Sequence, residues 1–367
     1  MKEKAKLAVL TDSNTSFEVR EYPVTEPGPG MARMKLLASG ICGTDIHIYK
    51  GKIAVGLPSA IGHEFVGQVE AISPADSQKY GITPGDNVIV NIACPCGHCS
   101  LCETGDQANC VHMGVTNGEN PDREPHFYGG YGEYNFSPAA NLIKLPAELN
   151  PETACVFACA GPTTLHAVKL AERSGCRLDK MSVAVVQGLG PVGMFALLYL
   201  SRLGIRNVIA VTGRNVPERA EIAKAFGAAE VMSLSEDGLE KIADKVNSLS
   251  GGLGADLVFE ASGNPEAVSQ GLTLLRNRGV YLVPGQYSNS GPVPIRPELI
   301  TFHALHIIGS SQYDTEDVQR YIGFLREQPQ YWEKIGSLAA RYSVSDINKA
   351  FADAMAGKNI KTMLTGE

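Results

Sequence analysis

The spacing of apolar and polar positions divides the chain into two textures. Over the first 145 residues, short apolar runs predict strands at Lys6–Leu10, Arg33–Ala38, Glu64–Ile72 and Asn87–Asn91, separated by turn signals such as Pro27-Gly28-Pro29-Gly30 and Pro84-Gly85-Asp86. From about residue 180, β-branched runs alternate with helical ones. Strands are predicted at Val183–Val186, Asn207–Val211, Asp256–Glu260 and Gly279–Val283. Helices are predicted from Pro191 to Leu203, from Pro217 to the stop at Gly227, and from Pro265, capped by Asn264, to Arg276. Such alternation implies a parallel sheet with helices on both faces. Two more helices, near Glu316–Arg326 and Ser345–Ala356, lie in a mixed tail. The expected fold class is α/β, a doubly wound parallel sheet of residues 160–305 set into a β-rich domain of residues 1–159 and 306–367.

Composition narrows the partners. A length of 367 residues suits two domains, and a net charge of −7 argues against nucleic acid or an anionic membrane. Met181–Ser201 carries no charge, yet Gln187, Gly188, Gly190, Pro191 and Gly193 break it into pieces too short to span a bilayer. After Met1 and Lys2 the one early apolar run, Leu7–Leu10, is too short for a secretory signal. A cytoplasmic protein is expected, its cysteines reduced or bound to metal.

Gly188-Leu-Gly190-Pro191-Val192-Gly193 fits G-x-G-x-x-G between a predicted strand and helix, the context in which the motif binds a dinucleotide. The first glycine permits the turn, the second lets a pyrophosphate approach, and the third lets helix and strand pack closely. An NAD site wants a carboxylate at the end of the next strand for the ribose 2′-hydroxyl. Here that strand ends in Thr212-Gly213-Arg214, with Arg219 a helical turn further on. A hydroxyl and a cation suit a 2′-phosphate, so NADP is expected over NAD.

All nine cysteines lie at or before Cys176. Cys96, Cys99, Cys102 and Cys110 fall within fifteen residues, the spacing of a closed tetrahedral zinc cage with a structural role. Cys94 is a fifth thiol that such an ion does not need, a bystander or a rival to Cys96.

Gly40-Ile-Cys42-Gly-Thr44-Asp-Ile-His47, Gly62-His63-Glu64, the four-cysteine lobe and the glycine turn follow one another in this order. In this the chain resembles, over essentially its whole length, the zinc-dependent alcohol dehydrogenases of the medium-chain dehydrogenase/reductase superfamily. The resemblance implies a GroES-like catalytic domain beside a Rossmann sheet, and two zinc ions per chain. It implies that Cys42 and His63 bind a catalytic zinc, with Cys159 of Cys159-Ala-Gly-Pro as third ligand and Cys155 or Glu64 as rivals. Glu64 matches a glutamate that assists ligand exchange, and Asp45 a carboxylate that orients His63. Thr44 matches the acceptor of the alcohol proton and His47 the histidine that releases it to solvent. Lys361 stands where relatives carry a base for the pyrophosphate, whereas Gly43 replaces a cation that some relatives use there.

The function expected is hydride transfer between an alcohol and NADP by a homodimer or homotetramer, with a small-molecule substrate and Ile92 in the pocket wall. An NAD-dependent polyol or sugar dehydrogenase and a non-catalytic zinc-binding relative are the alternatives.

Overall fold

The computed structural model describes residues 3–366, which divide into two compact units. One comprises Met1–Pro162 with Gln312–Glu367, the other Thr163–Ser311. The junction expected at 305/306 therefore lies too early. The strand His306–Gly309 pairs in parallel with Leu275–Val283 and completes the sheet of the second unit.

The first unit is built on a seven-stranded sheet ordered Ala339–Tyr342, Lys361–Thr365, Met31–Ile41, Glu64–Ile72, Asn87–Val90 and Leu142–Lys144, with Tyr134–Pro138 also paired to Met31–Ile41. All neighbours are antiparallel except the first two. Met34, Leu36, Phe65, Val69 and Val88 stack under it with Phe17, Tyr131 and Phe351 as one buried cluster. Non-polar burial of this kind contributes about 25 cal/mol per Å2.

The second unit holds a six-stranded parallel sheet ordered Ala228–Ser233, Asn207–Thr212, Val183–Gln187, Ala255–Glu260, Leu275–Val283 and His306–Gly309. In chain order this is 3-2-1-4-5-6, the doubly wound arrangement that binds dinucleotides beyond the carboxyl ends of the strands where the order reverses. Val183–Gln187 is buried at every position, as a central parallel strand must be. The chain turns at once into the helix Pro191–Arg202, with Pro191 in its first turn. Met181–Ser201 is thus split between strand and helix, and among the described residues no helix is long and apolar enough to cross a membrane.

The helix beginning at Pro265 ends at Leu274 and not at Arg276. Leu275 and Arg276 already belong to the next strand, where Leu275 pairs with Ala255. Leu and Arg are good helix formers, but strand pairing outweighs propensities worth less than about 1 kcal/mol. Ala228–Ser233 and the helix Gly238–Ser250, which the apolar pattern did not single out, complete the alternation.

Candidate functional site

Cys42 is the N-cap of the helix Gly43–Tyr49, with Asp45 at its third position. One carboxylate oxygen of Asp45 accepts the Cys42 backbone N–H at 2.9 Å and the other lies 3.2 Å from Nδ1 of His63. The wholly buried Asp45 thus fixes both residues. With Nδ1 engaged, Nε2 is the nitrogen of His63 left for a metal.

Cys42, His63, Glu64 and Cys159 each present a ligand atom within 4.8 Å of the others. Two sulfurs on one tetrahedral zinc, each about 2.3 Å from it, stand about 3.8 Å apart. The sulfurs of Cys42 and Cys159 are 4.0 Å apart and both cysteines are free, so the spacing fits a shared metal and not a disulfide. The hydrogen bond between these thiols, with the charge of His63, lowers the Cys42 pKa well below the ordinary range, while the same bond and burial raise that of Cys159. For His63, burial opposes protonation, but the charges of Asp45 and Cys42 outweigh it and raise its pKa.

Cys155 takes no part in the cluster. It is fully buried, and its thiol donates to the carbonyl of Glu64 at 3.3 Å. The helix Pro151–Val156 stops before Cys159, and the intervening turn keeps the two thiols off a common face.

Glu64 and Lys361 form a buried ion pair, and Nζ of Lys361 also lies 3.4 Å from the Ile41 carbonyl. Burial pushes the Glu64 carboxyl up to about 7 against the opposing charge of Lys361. The pair crosses Gly40, where a Cβ would collide with the Glu64 carboxylate and with Nζ of Lys361. The structure therefore places Lys361, expected at a pyrophosphate, with its ammonium engaged by Glu64. Sequence reasoning missed Gly40 in this role, and also Tyr131, whose ring lies against Gly62 where a Cβ would stand 2.7 Å from it. Glycines immediately before Ile41-Cys42 and His63 are the signal that could have found both. Thr44 is half-buried with its hydroxyl 3.8 Å from the Cys42 sulfur, His47 lies one turn further along the same helix, and Gly43 is exposed.

The second cluster joins Cys96, Cys99, Cys102 and Cys110 within 4.8 Å. Cys99 and Cys110 are 3.9 Å apart, again the separation of two thiolates on one metal. Backbone N–H groups of Cys96 and His112 each reach the Cys110 sulfur at 3.3 Å. N–H groups of Cys102 and Val111 bring the Cys99 thiol down to about 6, while burial pushes Cys102 up to about 12. Four sulfurs close this cage, leaving no position for substrate. Cys94 lies outside it, its thiol 3.9 Å from the Ile92 carbonyl.

In the second unit Gly188 has φ +100°, where a side chain is strained. A Cβ on Gly193 would collide with the Gly188 carbonyl oxygen, whereas the space over Gly190 is open. The helix opened by Pro191, which has no N–H of its own, thus presents the N–H groups of Val192 and Gly193 beside an unobstructed backbone. Thr212 ends the neighbouring strand Asn207–Thr212, and Gly213 and Arg214 follow it, both exposed. Arg219 donates to the Leu189 carbonyl at 3.1 Å, inside the glycine turn.

Comparison with known proteins identifies the family of the chain. Residues 28–147 match the alcohol dehydrogenase GroES-like domain, and residues 191–327 match the zinc-binding dehydrogenase family. The chain is 28% identical to a 5-exo-hydroxycamphor dehydrogenase of Pseudomonas putida, covering 98% of each chain. It is 31% identical to an L-threonine 3-dehydrogenase of Pyrococcus horikoshii over 84% of this chain and 83% of that one. A crystal structure of an alcohol dehydrogenase from Thermotoga maritima superposes with a TM-score of 0.90 at 25% identity, covering 100% of both chains. The chain is an oxidoreductase belonging to the zinc-dependent alcohol dehydrogenases of the medium-chain dehydrogenase/reductase superfamily.

Proposed function

We propose that the enzyme interconverts an alcohol and its aldehyde or ketone with NADP, using a catalytic zinc at Cys42, His63 and Cys159 and a structural zinc at Cys96, Cys99, Cys102 and Cys110. The observation that carries this reading is the first cluster: two sulfurs 4.0 Å apart and an imidazole held by a buried carboxylate. When bound, such a zinc supplies the Lewis acidity that lowers the pKa of an alcohol, and the nicotinamide supplies the hydride acceptor.

The chain's own groups do the rest. Asp45 keeps His63 oriented and would support its ring as a ligand of the bound metal. The Thr44 hydroxyl, beside the Cys42 sulfur, receives the proton of the alcohol. His47, half-buried on the same helix, passes that proton to solvent. Glu64, held by Lys361, would assist exchange of ligands at a bound metal. Gly188, Gly190 and Gly193 admit the pyrophosphate. Thr212, Gly213 and Arg214 receive the 2′-phosphate, because no carboxylate closes that strand. Arg219 supports the turn through Leu189.

The test is a panel of primary alcohols, secondary alcohols and polyols with each cofactor. NADP should give the higher kcat/KM, and Arg214→Ala should lower it by about tenfold or more with NADP while leaving NAD turnover nearly unchanged. A wild-type preference for NAD, or an equal effect on both cofactors, would overturn the assignment.

A further inference from the structure

The second unit contains a pocket that the dinucleotide site does not use. It measures about 230 Å3, and its lining includes Cys176, Arg177, Lys180, Arg276, Arg278 and His306. Its place in the sheet separates it from the cofactor turn. Met181, two residues before the strand Val183–Gln187, and His306, the first residue of His306–Gly309, put it at the amino ends of the parallel strands. Gly188 follows the opposite, carboxyl end of Val183–Gln187.

The charge of this pocket runs against that of the chain, which carries −7 overall. Four cationic side chains line it and no carboxylate does. Two of the cations are compensated from outside the lining. Arg177 forms a two-pronged pair with Asp179 at 2.8 and 2.9 Å. Arg276 binds Asp256 at 2.5 Å, and that carboxylate also accepts the N–H groups of Ser182 and Val183. Lys180 reaches Asp179 only at 3.7 Å. Arg278 is exposed in the strand Leu275–Val283, with its backbone held at φ +57° by an N–H bond to the His303 carbonyl at 2.6 Å. Two carboxylates against four cations leave two positive charges in excess, set in a concavity with a buried thiol among its walls. A left-handed arginine is strained and persists where the surroundings impose it.

We propose that this pocket is a second anion site, taking a small dianion of the phosphate or phosphate-monoester class through Arg278 and Lys180, with Arg177 and Arg276 as oriented donors. The volume lies below the roughly 300–1,000 Å3 of sites for drug-sized ligands, so it suits a phosphate group and its hydration and not a dinucleotide. Guanidinium groups recognise phosphate oxygens in pairs, which gives Arg278 the larger share of the binding.

The probe is inorganic phosphate, titrated calorimetrically into the zinc-loaded enzyme at constant ionic strength set with potassium chloride. Saturating cofactor is present, so that the glycine turn is already filled. One saturable site per chain is expected. Arg278→Gln should weaken it about tenfold or more, while the affinity for cofactor and the zinc content stay at wild-type values. A phosphate monoester should compete with phosphate, and chloride should not. Lys180→Gln serves as a second variant, with a smaller loss in the same direction. A non-saturating response, or equal phosphate affinity in wild type and Arg278→Gln, would overturn the proposal.

Discussion

Glu64 and Lys361 are 297 positions apart in the chain and form an ion pair in which their side chains are only 2% and 1% exposed. They meet across Gly40, which pairs with Glu64 on one side and with Met363 on the other. Removing one partner strands a charge in a medium that cannot solvate it. Lys361→Met is expected to lower the unfolding free energy by about 3–5 kcal/mol, and the double variant Glu64→Gln with Lys361→Met to recover a substantial part of that. Urea denaturation of the three proteins measures it. A single variant as stable as wild type would mean that the pair carries no such strain of charge.

Asp45 reaches both His63 and the Cys42 backbone. Asp45→Asn keeps the shape but removes the charge that supports the imidazole. Zinc affinity at the catalytic site is expected to fall roughly 10–100-fold, read by competition with a chelator, with the zinc of the four-cysteine cage retained.

Burial, with the charges of Lys52 and Lys50, holds His47 below the usual histidine range. In its proposed role as proton carrier it is therefore neutral at pH 7 and ready to accept. Alcohol oxidation should keep its rate through the ordinary histidine pKa near 6.5 and fall only at lower pH, where His47 takes a proton. His47→Gln should lower kcat and remove that acidic limb. The sign for stability follows the same shift. Between the depressed pKa and about 6.5 the unfolded chain binds a proton that the folded chain does not, so stability declines as pH falls through that window.

The second cage is fastened by backbone N–H groups as well as by its spacing. Cys99→Ala is expected to lose the structural zinc and destabilise the fold by about 4 kcal/mol or more, the range associated with losing a metal. Thermal unfolding together with zinc content checks it. Cys94→Ala, outside the cage, should change neither.

Much of this architecture was legible because its signals are local. Four cysteines within fifteen residues, a glycine turn between strand and helix, and Pro at helix starts each declare themselves in a short window. What depended on distant residues was not legible. The choice of Cys159 over Cys155 rested on the resemblance alone, since the two stand four apart, a spacing that a continuous helix would place on one face. Only the turn after Val156 separates a thiol that faces Glu64 from one that faces Cys42. Lys361 could be read as a cation, but its partner lies at the other end of the chain. The end of the second unit was misplaced because His306–Gly309 is four residues long with alternating exposure, too short to stand out from its surroundings.

Cys42 is proposed to belong to a catalytic metal site separate from the four-cysteine cage. Metal analysis of wild type and Cys42→Ala, paired with an alcohol oxidation assay, tests it most directly. Two zinc ions per wild-type chain are predicted, and one in Cys42→Ala, with the fold and cofactor binding intact and turnover abolished. One zinc in the wild type, or full activity in Cys42→Ala, would contradict it.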